Sequence, residues 1–125
     1  MPFTPRNTAL PGIAKKTTTT NQGMQIDHVS LEPGVIGEAV DGSKILINKD
    51  VCPSSELYRR AVAHESLHAR EMAQGKVSYG PTFVRDNGST YPRKNGKIKY
   101  NGKWHHEGSH AFPWEQRAMK AEKKV

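Results

Sequence analysis

Two histidines and a glutamate near the middle of the chain have the residue types and the spacing for metal-assisted hydrolysis. They are His64, Glu65 and His68, which form the pattern H-E-x-x-H. On a helix, residues four apart lie on one face, so both imidazoles can bind one metal ion while the carboxylate points towards its open coordination position. The pattern is typical of a zinc-dependent hydrolase in which Glu65 acts as the general base.

The residues around this pattern predict the helix that it needs. Ser54 is a suitable N-cap, Glu56 falls in the positive first turn, and Gly75 suits the left-handed position that ends a helix. The residues predicted to form its buried face, at intervals of three and four, are Leu57, Ala61, His64, Glu65, His68 and Met72. Two imidazoles and a carboxylate are costly to bury there unless a metal ion or a polar cleft receives them.

The composition indicates one small domain with a lean core. The chain has 125 residues, of which 34% are hydrophobic, and a net charge of +7. Residues 85–125 contain ten basic and four acidic residues, a net charge of +6, which favours an anionic partner or serves solubility. The single cysteine, Cys52, excludes an intrachain disulfide. No apolar run approaches the roughly 18 residues of a membrane span, and no hydrophobic signal core is present, so we expect a cytoplasmic protein without a membrane segment.

The chain is predicted to consist of an arm, residues 1–24, and a domain, residues 25–125. The arm holds three prolines, four consecutive threonines, three basic residues and no acid. Such a segment buries too little apolar surface to order itself. A neighbouring subunit in a larger assembly, or the chain's own domain, would have to hold it.

Strands are predicted on both sides of the central helix. Val35 to Val40 and Ser43 to Ile47 flank Asp41-Gly42, and Asp-Gly indicates a hairpin with a type I′ turn. After the helix, a ribbon over about residues 84–110 contains Asn95-Gly96 and Asn101-Gly102, which predict a three-stranded meander over about residues 90–106. The meander combines five basic residues with interleaved aromatics. Such a composition fits a nucleic-acid platform, although a solvated ribbon with its aromatics packed inward is the more frequent arrangement.

A second helix is predicted from Pro113 to about Lys124, with proline at its first position and lysines at its end. A zinc hydrolase needs a third protein ligand besides the two histidines. The candidates for that ligand are His105, His106, Glu107, His110 and Glu115. We favour Glu115 because a helix holds ligand geometry better than a loop.

The order of strand, H-E-x-x-H helix and downstream glutamate-bearing helix resembles the gluzincin type of zinc metallopeptidase in its smallest form. Residues 64–70, 75–77 and 112–118, together with the Asn-Gly-Lys ribbon, are similar to compact peptidases encoded by tailed bacteriophages. The resemblance covers about residues 44–125. In those proteins the glutamate of a Pro-Trp-Glu element is the expected third ligand, which corresponds to Glu115.

The resemblance implies an α+β, zincin-like domain that binds Zn²⁺ and hydrolyses a peptide or protein substrate. It also implies that an exposed strand beside the helix receives the substrate as an added strand, and we expect Lys44–Asn48 in that place. Glu65 would pass the proton of the attacking water to the leaving amine. The candidate donors to the oxyanion, all from the ribbon, are Tyr91, Tyr100, His105, His106 and His110. Of these, His106 and His110 are nearest the second helix in sequence. Two histidines and a carboxylate also hold Fe(II), but Glu65 favours hydrolysis.

Two other functions compete with hydrolysis. A lean core, a basic ribbon and a polar arm also suit a structural virion protein, in the tail or the capsid, whose metal site only stabilises the fold. In that case the arm would contact other virion proteins, and the protein would pass from the cytoplasm of the bacterial host into the virion. A basic protein associated with nucleic acid is the third possibility.

Overall fold

The computed structural model describes residues 16–19 and 23–125. These residues form two helices and two sheets, so the predicted α+β class is confirmed. The strands are β1 (Lys16–Thr19), β2 (Gln25–Val29), β3 (Gly37–Asp41), β4 (Lys44–Asn48), β5 (Val77–Tyr79), β6 (Phe83–Asp86), β7 (Ser89–Lys94), β8 (Lys97–Tyr100) and β9 (Lys103–His106). The helices are α1 (Glu56–Ala73) and α2 (Pro113–Glu122).

The first sheet has the strand order β1-β2-β4-β3. β4 lies inside it, parallel to β2 and antiparallel to β3. Ile45 and Ile47 pack towards α1, while Leu46 packs on the opposite face with Val29 and Val35. The prediction that strand 44–48 offers an exposed edge is therefore wrong, because both of its edges are paired. The edge strand beside it is β3.

The β3–β4 hairpin is confirmed, but its predicted turn type is wrong. Neither Asp41 nor Gly42 has a positive φ angle, and a type I′ turn needs two such angles. The register shifts between Ala39 and Asp41 instead. A Cβ atom on Gly42 would lie 2.7 Å from the Cβ atom of Ala73 at the end of α1. Glycine is needed here because the turn lies close against the helix.

The second sheet contains β5 to β9 in chain order, each strand antiparallel to the next. Its last three strands confirm the predicted meander. In three of its turns both residues of an Asn-Gly pair have positive φ angles, and these pairs are Asn87-Gly88, Asn95-Gly96 and Asn101-Gly102. β5 and β6, which lie in a stretch with weaker strand signals, extend the meander to five strands.

Helix α1 begins one residue later than the sequence signals indicate. Its N-cap is Ser55, not Ser54, and the Ser55 hydroxyl accepts a hydrogen bond from the backbone N–H of Tyr58. Gly75 follows the helix with a φ angle of 73°, as predicted. Leu57, predicted to be buried, is 46% exposed, so the buried face begins one turn later, at Ala61.

Helix α2 packs against α1 and the second sheet. Phe112 and Trp114 stack with their ring centroids 4.7 Å apart and form one core with Val77, Val84 and Ile98. The predicted first helical position of Pro113 is confirmed. The helix therefore begins in the core of the second sheet, and from its first turn onward it also contacts α1.

Only part of the predicted arm falls within the described residues. β1 pairs with β2 in antiparallel orientation. Residues 1–15 and 20–22 lie outside the described residues, so the boundary at residue 24 and the arm's contacts with other subunits stay predictions. Within the part of the chain that is described, neither helix combines the length and the hydropathy that a membrane span requires.

Candidate metal centre

Helix α1 brings three of the predicted site residues together. The side chains of His64, Glu65 and His68 are fully buried, and their potential ligand atoms lie within 4.8 Å of one another. The two imidazole rings are one helical turn apart, with centroids separated by 4.9 Å and planes inclined at 71°. This buried group could hold a metal ion.

Helix α2 adds the carboxylate of Glu115, which is also fully buried. One oxygen of Glu115 lies 3.0 Å from Nε2 of His64, and the other lies 3.2 Å from Nε2 of His68. No ion pair joins Glu65 to either imidazole among the described residues. The compact group on α1 contains Glu65, but the carboxylate within ion-pair distance of both rings is that of Glu115.

The two nitrogen–oxygen separations match the spacing of two ligands of one tetrahedral ion. Metal–ligand bonds of about 2.0–2.2 Å place two ligands of one tetrahedral zinc ion about 3.3 Å apart, close to the two measured nitrogen–oxygen separations. Nδ1 of His64 is also 2.8 Å from an oxygen of Glu122. If the single proton of the neutral His64 ring is on Nδ1, the lone pair of Nε2 faces the Glu115 carboxylate. Two electron pairs at that distance repel, so a proton or a metal cation has to lie between them.

The surroundings of Glu115 keep it ionised. Burial by itself raises the pKa of this carboxyl group, but attraction to His68 and the close approach of both imidazoles outweigh burial and lower the pKa to about 2. Burial also lowers the pKa of His68, against the attraction of Glu115. An imidazole with a lowered pKa is neutral at pH 7, which is the form that binds a metal.

The surroundings of Glu65 shift its pKa in the opposite direction, upward. Burial raises its pKa well above the ordinary value, and the nearby Glu115 carboxylate raises it further. Neither oxygen of Glu65 has a hydrogen-bond partner among the described residues. A Cβ atom on Gly37 would lie 3.0 Å from Cγ of Glu65, so the edge strand β3 lies directly against this side chain. The pKa values of the two buried carboxyl groups are thus shifted in opposite directions: that of Glu115 is lowered and that of Glu65 is raised.

Sequence reasoning missed the role of Glu122. Its carboxylate accepts a hydrogen bond from Nδ1 of His64, and its side chain is 18% exposed. A carboxylate on the far nitrogen of a metal-binding histidine fixes the tautomer and the ring orientation. The signal was present in the sequence, because Glu115 and Glu122 are seven residues apart and lie on the same face of α2.

Tyr79 was also missed. Its hydroxyl oxygen is buried, and burial together with the charges of Glu115, Glu71 and Glu65 raises its pKa well above the ordinary value. The hydroxyl therefore remains protonated at neutral pH and is a potential donor close to the cluster. Tyr79 ends β5, a strand of three residues that is too short to show a sequence pattern.

Glu71, which shares the histidine face of α1, belongs to a separate ion-pair network. Arg117 of α2 donates to both oxygens of Glu71, at 2.7 and 2.9 Å, and to Asp86 of β6 at 2.7 Å. Glu71 and Asp86 are each only about 5% exposed. One guanidinium therefore ties α2 to α1 and to the second sheet beside the site.

The structure does not bring His106 and His110 into the cluster. Both residues are exposed, whereas the cluster is fully buried. No hydrogen bond or ion pair among the described residues joins either histidine to His64, His68 or Glu115. His106 lies in β9 opposite Lys97. Their catalytic role stays a prediction.

Comparison of the chain with protein-family models, with curated proteins and with solved structures found no match.

Proposed function

We propose that this protein is a zinc-dependent metallopeptidase-like hydrolase with a zincin-like fold. The observation that carries the proposal is the convergence of Nε2 of His64 and Nε2 of His68 on the two oxygens of Glu115, at 3.0 and 3.2 Å. Two histidines and a carboxylate are a ligand set of catalytic zinc, which leaves one coordination position for water. The position of Glu65, one residue after the first histidine, favours hydrolysis over Fe(II) chemistry.

Each residue of the centre has a distinct role in this proposal. His64, His68 and Glu115 hold the ion, and Glu122 fixes the tautomer of His64 so that Nε2 carries the lone pair. The chemistry that zinc supplies in such a site is a bound water whose pKa falls to about 7. Glu65 takes up the proton of the attacking water and transfers it to the leaving amine. Its raised pKa suits the second step, because a carboxyl group must hold the proton before it can donate it.

The substrate is proposed to bind along β3. This strand is an edge of the described first sheet, and its Gly37 contacts Glu65. Residues 37–39 are buried, so this edge has to be uncovered before a peptide can pair with it. A peptide added to that edge by main-chain hydrogen bonds would run past the general base. Tyr79 is the proposed donor to the developing oxyanion, because its hydroxyl remains protonated among the carboxylates of the site.

The test replaces Glu65 by Gln. Gln has nearly the same size but cannot accept the proton, so we expect the rate of peptide hydrolysis to fall about 10²- to 10⁴-fold. Zinc content and thermal unfolding should remain those of the wild type. The measurements are cleavage of labelled casein by the zinc-loaded protein and metal analysis of both variants. Glu56→Gln, on the exposed first turn of α1, is the matched control and should leave cleavage unchanged.

A second candidate function is favoured by the complete burial of the four side chains of the centre, which are those of His64, Glu65, His68 and Glu115. Structural zinc sites are closed, whereas a catalytic site must admit water and substrate. In this alternative the protein is a structural component, of the virion in the phage-like case, and the ion only stabilises the fold. Equal hydrolysis by the wild type and by Glu65→Gln, with equal zinc content, would remove the peptidase proposal and leave the structural one.

A further inference from the structure

The two faces of the second sheet differ in chemistry. Residues of the inner face, such as Val84 and Ile98, are buried against Phe112 and Trp114. The strand register places the alternate residues of β6 to β9 on the opposite side, which we call the outer face. The outer face consists of Phe83, Arg85, Thr90, Pro92, Lys94, Lys97, Lys99, Trp104 and His106.

The outer face is positively charged throughout. It carries one arginine and three lysines, all exposed, and none of its residues is acidic. The carboxylates of the same region are used elsewhere, since Asp86 pairs with Arg117 and Glu107 pairs with Arg93. These four cations are therefore available to an external anion.

The positions of two of the cations destabilise the sheet. Lys94 and Lys97 lie directly opposite each other across β7 and β8. Like charges in that relation destabilise a strand pair, and a bound polyanion relieves the repulsion. Lys97 and Lys99 follow each other along one face of β8 at about 7 Å, so the cations form an extended array instead of a single anion pocket.

One exposed aromatic ring, that of Trp104, lies among these cations. Trp104 is 45% exposed and lies opposite Lys99 across β8 and β9. The aromatic residues of the ribbon are thus divided: Tyr91 and Tyr100 pack inward, whereas Trp104 faces solvent. Nucleic-acid bases stack on exposed aromatic rings while lysines contact the phosphates, and this combination on an open sheet is typical of proteins that bind single strands. An acidic peptide would satisfy the lysines but would not need the indole.

We propose that the outer face of the second sheet binds single-stranded nucleic acid, with Trp104 stacking on a base and the cations of β6 to β8 contacting the backbone. A duplex is the less suitable ligand, because its bases are already stacked and their faces are inaccessible to the indole. This activity is independent of the metal centre, whose residues lie on α1 and α2.

The experiment measures the affinity of the full chain for a fluorescently labelled oligothymidylate of about 20 nucleotides, by anisotropy over a range of salt concentrations. Trp104→Ala should weaken binding about 10- to 100-fold, and Trp104→Phe should restore most of the affinity. The double variant Lys97→Gln/Lys99→Gln should lower the slope of log affinity against log salt by about 1.4, because each neutralised phosphate contributes about 0.7 to that slope. The matched control is Lys120→Gln/Lys123→Gln, in the last turn and the C-cap of α2, which removes the same charge elsewhere and should leave the slope unchanged.

Three outcomes would overturn the proposal. The first is that the wild-type chain does not bind the oligonucleotide. The second is that the control double variant loses as much affinity as the outer-face variant, which would show attraction to overall charge alone. The third is that Trp104→Ala binds as tightly as the wild type while polyglutamate competes as well as unlabelled oligothymidylate, which would identify a surface for acidic proteins. All substituted side chains are exposed or partly exposed, so thermal unfolding should stay unchanged and serves as the folding control.

Discussion

The two sheets of this protein are built in different ways. In the second sheet every strand pairs with its neighbour in the chain, and Asn-Gly turns make three of the connections. In the first sheet β2 pairs with β4, although β3 lies between them in the sequence, and α1 packs against one face of that sheet. The first region encloses histidines and carboxylates away from water, whereas the second presents its lysines to solvent. Local hairpins can display charge, but long-range packing is needed to bury it.

Helix α2 connects the two regions through different side chains. Its start supplies Phe112 and Trp114 to the aromatic core of the second sheet. Glu115, in the first turn, and Glu122, at the end of the helix, contact the histidines of α1. Arg117 lies between these contacts and bridges to both regions. The comparison therefore predicts that disrupting α2 affects both regions, whereas disrupting either region alone has a local effect.

The largest effect is expected from Arg117→Met. Two nearly buried carboxylates, those of Glu71 and Asp86, would lose their shared cation, so we expect the free energy of unfolding to fall by about 3 kcal/mol. Urea denaturation measures this change. Arg85→Met, which removes an exposed arginine of the second sheet, is the control and should change stability by less than about 0.5 kcal/mol. Similar losses for the two variants would contradict the bridging role of Arg117.

A smaller effect, confined to the first region, is expected from Glu122→Gln. The amide cannot stabilise the Nδ1–H of His64 as a carboxylate does, so zinc affinity should fall about 10- to 100-fold. Competition with a chromophoric chelator measures the affinity. Glu56→Gln again serves as the control. Unchanged affinity would show that Glu122 does not orient the histidine, and it would leave the ligand set itself untouched.

The smallest effects are expected from replacing a glycine by alanine, once in each region. Gly42→Ala brings a Cβ atom to 2.7 Å from the Cβ atom of Ala73, and we expect a loss of about 2 kcal/mol from steric overlap. Gly96→Ala meets nothing within 4 Å but has to adopt a φ angle of +74°, which costs about 1 kcal/mol. Thermal or urea unfolding measures both losses.

The two glycines also respond differently to asparagine. Asn tolerates the left-handed conformation, so Gly96→Asn should recover part of the stability that Gly96→Ala removes. Gly42→Asn should be no better than Gly42→Ala, because the obstacle there is the close approach of α1 and not the backbone angle. Recovery at both positions would contradict the steric explanation for Gly42.

The predictability of each element follows the range of the contacts that define it. The meander was predictable because Asn95-Gly96 and Asn101-Gly102 specify their turns locally. Helix α1 was predictable to within one residue at its cap, since capping residues are adjacent in sequence. The position of β4 inside the first sheet was not predictable, because β4 pairs with β2 and these two strands are separated along the chain by β3. Tyr79 was missed because β5, which it ends, is too short to show a sequence pattern.

The amino-acid sequence by itself determined the helix that carries His64, Glu65 and His68, because helical periodicity alone puts these side chains within reach of one another. It also determined the hairpins of the ribbon, through their turn residues. Only the tertiary structure decided that Glu115 lies 3.0–3.2 Å from both imidazoles, that Glu122 accepts a hydrogen bond from His64, and that the edge strand β3 lies beside Glu65. The physical reason is that burial and packing between distant segments place these groups, and no local preference of the chain encodes a contact across some fifty residues.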